Sequence, residues 1–217
     1  MTLIFNFFLL IHILSGAVGL LSGLINIIQP KGNKRHKFIG RIFFVSMIIV
    51  GISSLILSYI NPNYFLFIMG VFTLYMVVSA QRYLKHKRPR THFSQLTDWI
   101  ITKTMLAVCL IFLGLGVWLL IQSNMFGIVF LTFGGLSLMF ISQDIRYLKK
   151  RSKIKNYWLL AHLQRMVGSF IAALTAFLVV NAQYFPEQIP SLVFWLVPTI
   201  VLTLFIVKWS KKHRIKS

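Results

Sequence analysis

The chain has 217 residues, 57% of them hydrophobic, 15% aromatic and only 12% charged, with a mean hydropathy of +0.78. Soluble domains are about 45–50% apolar and about 25% charged, so a soluble globular domain and a disordered tail are both excluded. Lys and Arg number 23 against three acids, and the one cysteine, Cys109, excludes an internal disulfide framework and any cysteine-cluster zinc or iron–sulfur site.

A helix needs roughly 20 apolar residues to cross the hydrocarbon core of a bilayer. Seven stretches qualify, at about 3–28, 38–60, 64–84, 98–121, 125–148, 157–181 and 192–209. They predict an all-α, polytopic transmembrane bundle of seven spans, one membrane domain over residues 1–217. Span 1 lacks a basic leading region and a small-residue cleavage site, so it reads as a span, not a signal peptide. His12, Ser15, Gly16, Gly19 and Gly23 share one of its faces, and Gly19-x-x-x-Gly23 is a small-residue packing motif, so His12 is expected to point at a neighbouring helix. His36 stands at the mouth of span 2 and Arg41 just inside it. Asn61-Pro62-Asn63 is a turn of the kind that joins antiparallel helices.

Span 3 ends in Arg82 and Tyr83. Asp98, beside Thr97, is expected to serve the N-terminus of span 4, with Lys103 one turn further in. Gln122-Ser123-Asn124 is a second tight turn. Gln143 and Asp144 lie one turn from the end of span 5. Span 6 carries His162 and Arg165 on one face with Met166, Ser169, Ala172, Ala173 and Ala176. Arg165 is eight residues past Tyr157, about 12 Å along the helix. Pro198 inside span 7 is expected to kink it or free a carbonyl.

The basic residues fall in alternate connections. Lys31, Lys34, Arg35, Lys37 and Arg41 follow span 1. Arg82, Lys85, Lys87, Arg88 and Arg90 follow span 3. Arg146, Lys149, Lys150, Arg151, Lys153 and Lys155 follow span 5, and Lys208, Lys211, Lys212, Arg214 and Lys216 form the tail. The other three connections contain no Lys or Arg. Basic short loops stay in the cytoplasm, so the expected orientation is N-terminus outside and C-terminus cytoplasmic, in a bacterial inner (plasma) membrane. Placed this way, the charge is a topology signal with anionic lipids of the cytoplasmic face as its partners, and not a nucleic-acid signal. Trp99, Trp158 and Trp209 at the inner span ends, and Trp118 and Trp195 near the outer ones, fit the same spans.

Spans 3 and 5 resemble each other. Gly70, Thr73, Leu74 and Arg82-Tyr83-Leu84-Lys85 recur 64 residues later as Gly134, Ser137, Leu138 and Arg146-Tyr147-Leu148-Lys149. This points to a parallel repeat of a helix pair.

Ionisable groups inside spans are costly and usually face the bundle interior or a cavity. His12, His36, Arg41, Asp144, His162 and Arg165 are therefore the candidate ligand- or cofactor-binding residues. With Lys103, the deeper ones are expected to line a polar cavity open to the cytoplasmic leaflet. The excess positive charge there suits a lipid phosphate, an anionic substrate or a haem propionate. A haem between His12 and His162 is disfavoured by their different depths, and His86, His92 and His213 read as solvated. No metal site and no catalytic motif is legible, which argues against an enzyme.

His12-x-x-x-Gly16, His36-Lys37-Phe38-Ile39-Gly40-Arg41, Tyr75 with Arg82, and His162-x-x-Arg165-Met166-Val167-Gly168-Ser169 through Ala172-Ala173, Thr175-Ala176-Phe177 and Asn181 look like a bacterial membrane family, domain of unknown function 2306. Ser79-Ala80-Gln81-Arg82 departs mildly from the Ser-Gly-x-Arg pattern of that family. The resemblance spans nearly the whole chain and implies a multi-pass membrane protein, without implying an activity. Three classes stay open: binding or transport of a small anionic or lipid-like ligand in a cytoplasm-facing polar cavity, a redox protein holding haem b or quinone through intramembrane histidines, and a structural or assembly protein. Few carboxylates inside the spans count against a proton-coupled pump.

Overall fold

The computed structural model describes residues 2–87 and 91–215, so Arg88, Arg90 and Lys216 of the basic segments lie outside the described residues. Seven helices are long and apolar enough to cross a membrane. They are α1 (Thr2–Ile28), α2 (Lys34–Ile60), α3 (Tyr64–Tyr83), α4 (His92–Ile121), α5 (Gly127–Leu148), α6 (Tyr157–Val180) and α7 (Ser191–His213). Short 3₁₀ turns cover Leu84–Lys87 and Ala182–Tyr184, and no β-strand occurs among the described residues. The protein is an all-α, multi-pass membrane protein.

Helix ends follow local chemistry. The Asn33 side chain accepts from the His36 N–H and so starts α2 at Lys34, four residues before the expected span. Asn63 accepts from the Leu66 N–H at the start of α3. Thr91 caps α4 by accepting from the Ser94 N–H. That early cap moves Asp98 from the helix N-terminus into the second turn, which corrects the expectation that it serves the cap. Gly32, at φ +87°, lets the chain reverse between α1 and α2.

Two compact units form. Unit 1 comprises Met1–Ala80 and His162–His213, and unit 2 comprises Gln81–Ala161 and Arg214–Ser217. In unit 1, α1 and α2 are antiparallel in one continuous register. His12 meets Ser53, Gly16 meets Val50, Gly19 meets Met47 and Gly23 meets Phe43. The small residues of α1 are notches for the large ones of α2, as the Gly-rich stripe predicts. Phe170 of α6 also fills the Gly23 notch and packs on Phe43. Gly51 and Gly70 bring α2 and α3 into backbone contact, and Gly168 of α6 receives Met76 of α3. Pro198 is buried and α7 runs through it as a helix.

In unit 2, α4 and α5 form a hairpin closed at Gly116, Gly127 and Gly134. Gly70 and Gly134, matched in the repeat, thus each sit against the helix preceding their own. Leu, Ile, Val and Phe dominate the exposed surface of the chain, while Ser22, Ser46, Ser53, Ser54, Ser79 and Ser137 are buried. This inversion suits lipid, which leaves no hydrophobic drive between helices and favours small residues at contacts. Ser22, Ser53, Ser54, Ser79 and Ser137 are buried cheaply because their hydroxyls donate to carbonyls one turn back, as from Ser79 to Tyr75 at 2.6 Å.

Candidate functional site

Arg41 and Lys103 are exposed on their helices. Asp144 and Lys103 belong to unit 2 and the other candidates to unit 1.

Within unit 1, His162 and Arg165 rise from the first half of α6. The His162 Nδ1 lies 3.1 Å from the Ala80 carbonyl oxygen on α3. A carbonyl only accepts, so Nδ1 carries the proton and Nε2 keeps its lone pair. Arg165, one turn on, is 0% exposed, and its guanidinium lies over the Tyr75 ring at 5.3 Å. Ser169, next on the same face, is equally buried. His36 of α2 lies within electrostatic reach of His162. Its Nδ1 is buried without a hydrogen-bond partner, as is Oε1 of Gln29. Gln29 donates through Nε2 to Asn26, which packs on Gly40, one turn along α2 from His36. Lys31 closes this end. Its ammonium donates to the carbonyls of Asn26, Ile27 and Gln29 at the end of α1 and sits over Trp209 of α7 at 4.4 Å. Burial pushes the Lys31 pKa below the usual lysine value.

His12 stands apart. Its Nδ1 is 3.1 Å from Ser53 Oγ, and Ser53 spends its own proton on the Ile49 carbonyl at 2.7 Å, so the imidazole donates. The contact of Gly23 with Phe170 sets the relative levels of α1 and α6. Counted from it at 1.5 Å per residue, His12 and His162 lie about 28 Å apart along the helices. One haem cannot take both.

Unit 2 holds a cluster that the sequence reading missed. Asp98 accepts from Arg82 Nε at 2.5 Å and from His86 Nε2 at 2.9 Å. Arg82 also donates to the Ser94 carbonyl at 2.7 Å. His86 is not solvated, as its place in a basic loop suggested, but has a side chain only 1% exposed. Its Nδ1 faces the Tyr157 hydroxyl at 3.4 Å. Beside it, the Tyr83 hydroxyl donates to Asp144 Oδ1, and Thr102 Oγ1 is 3.5 Å from Asp144 Oδ2. The rings of Tyr83, His86, Tyr147 and Tyr157 pack on one another. The signal was present: Arg82 and His86 are four residues apart, on one side of a continued α3.

The family model for predicted membrane proteins of DUF2306 matches residues 9–117. The chain belongs to this family. The matched half contains His12, His36 and Arg41 of unit 1 and Arg82, His86 and Asp98 of unit 2, while His162 and Arg165 lie beyond it. No curated protein and no solved structure matches the chain.

Proposed function

We propose that the protein sits in a bacterial plasma membrane with its N-terminus outside and C-terminus in the cytoplasm, and binds a small anionic or lipid-like ligand at the basic end of unit 1. The observation that carries this reading is Arg165, a fully buried guanidinium one turn from His162. The membrane-spanning parts of unit 1 contain no Asp or Glu, and its one acid, Glu187, is exposed in the connection before α7. A guanidinium held in place this way binds an anion of the right shape through charge-assisted hydrogen bonds. The planar guanidinium suits a phosphate or carboxylate headgroup. His36 Nδ1 and Gln29 Oε1 add hydrogen-bonding capacity at the same end. The orientation rests on the alternation of basic connections, which also accounts for attraction to anionic lipids without nucleic acid.

A second reading, haem b or quinone, is favoured by one observation. His162 is fixed with its proton on Nδ1, which leaves Nε2 as a ligand or acceptor, and His36 is near.

One preparation tests both. Protein extracted with bacterial lipids in mild detergent is examined by native mass spectrometry and by a reduced-minus-oxidised optical spectrum. A retained anionic amphiphile that is lost in Arg165→Gln supports the leading reading. Identical spectra of bound species in the wild type and the variant overturn it. A haem signal lost in His162→Ala replaces it with the redox reading.

A further inference from the structure

The chain has three acids, and two of them, Asp98 and Asp144, are buried in unit 2, each hydrogen-bonded to another group that can exchange a proton. The bonds fix where the protons are. Asp98 is held as a carboxylate by Arg82, so His86 must present Nε2–H to it. Nδ1 then faces the Tyr157 hydroxyl at 3.4 Å. In the neutral imidazole, Nδ1 accepts the hydroxyl proton. In the imidazolium, Nδ1 donates and the hydroxyl oxygen accepts. One proton taken up at Nδ1 reverses a single hydrogen bond and needs no heavy atom to move.

Next to this bond, Thr102 donates to the Asp98 carbonyl at 2.9 Å, and its Oγ1 is also 3.5 Å from Asp144 Oδ2, whose other oxygen accepts from Tyr83. The Tyr83 ring packs edge-on against His86 at 4.8 Å, and Tyr147 stacks on Tyr157 at 4.7 Å, while Tyr157 itself is only half-buried. The groups in contact with His86 are Tyr83 from α3, Asp98 from α4 and Tyr157 from α6; Arg82 of α3 shares Asp98 with it, and Asp144 and Tyr147 of α5 contact Tyr83. The turn of His86 itself adds Lys85 and Lys87, both exposed, with the Lys87 ammonium 5.8 Å from the Trp158 ring centre. An ion pair of Arg82 with Asp98 would be enough to pin α3 to α4. The imidazole, the second carboxylate and the two phenols go beyond that need.

We propose that unit 2 carries a proton-transfer site in which His86, oriented by Asp98, exchanges its proton with water through the Tyr157 hydroxyl. The step balances as one proton passing from hydronium to the Tyr157 oxygen, releasing water, while the Tyr157 proton passes to Nδ1, with no change in oxidation state. The residues are separate from those of the proposed ligand site, so either idea can fail alone.

The test uses the full chain with ¹⁵N-labelled histidine in lipid nanodiscs. His86 is assigned by the resonances lost in His86→Gln. The expected result is a neutral ring that carries its proton on Nε2 and accepts at Nδ1. Tyr157→Phe removes only the hydroxyl. It should shift the neutral Nδ1 resonance and slow exchange of the His86 proton with water by about 10²-fold, the low end of what a positioned proton-transfer group contributes. Asp98→Asn should give a mixture of tautomers, and circular dichroism checks that each variant is folded. A neutral His86 ring that carries its proton on Nδ1, or an exchange rate unchanged in a folded Tyr157→Phe, overturns the proposal.

Discussion

A Cβ placed on Gly127 would lie 2.5 Å from the Gly116 carbonyl oxygen, so the α4–α5 hairpin closes backbone against backbone. Gly19 is also a tight notch, but what fills it is the methyl end of Met47. A backbone carbonyl cannot step aside, whereas a methionine can change rotamer. Gly127→Ala should therefore cost about 2–3 kcal/mol, the upper range for overpacking, and Gly19→Ala less than about 1 kcal/mol. Unfolding of the two variants in one detergent measures the difference. Equal losses would mean that the hairpin has slack the glycine contacts do not suggest.

The repeat gives an internal control for charge. Arg82 and Arg146 occupy matching places in Arg-Tyr-Leu-Lys, and their neighbours Tyr83 and Tyr147 meet edge-to-face at 5.7 Å. Arg82 is paired with buried Asp98, while Arg146 is exposed. Removing one partner of a buried pair costs about 3–5 kcal/mol. Most exposed substitutions stay within about 0.5 kcal/mol. Arg82→Gln should thus lower the thermal midpoint strongly and Arg146→Gln hardly at all. The reverse order would place the structural cation on α5.

What could be read in the sequence was what lipid imposes on every helix. Seven apolar runs became seven helices, and the Gly19–Gly23 stripe became the α1–α2 seam, because both depend only on residue type and period. The His162–Arg165 face was legible for the same reason, since a charged side chain at that depth has to point inward. Pairings between segments were not legible. His86 looked solvated because it stands among lysines, yet a 3₁₀ turn after α3 carries it under Asp98. Asp98 looked like a cap because the span count started α4 at the apolar run, whereas Thr91 starts it a turn and a half earlier. Arg41 and Lys103 lie one turn inside their spans by count, yet both are exposed, which residue type and spacing alone do not reveal.

Ser53 is the α2 partner of His12 at 3.1 Å. Interhelical hydrogen bonds in membrane proteins average about 0.6 kcal/mol. A double-mutant cycle with His12→Leu and Ser53→Ala should return a coupling of about that size. A coupling near zero would mean that His12 is held by packing alone. A value several times larger would mean that Ser54, whose Oγ is 3.5 Å from the same nitrogen, shifts in to compensate in the single variant.

Arg165 and Tyr75 offer the sharpest test of how unit 1 keeps a cation in its core. The guanidinium stands 5.3 Å from the ring centre, and both residues are buried. A desolvated cation–π contact is worth about 2 kcal/mol. Lysine keeps the charge but not the planar group that stacks on the ring. Arg165→Lys and Tyr75→Leu should each lower stability, and the double variant should lose about 2 kcal/mol less than their sum. Tyr75→Phe keeps the ring face, so its loss should stay below half that of Tyr75→Leu. Simple additivity in the cycle would show that the ring does not stabilise the charge.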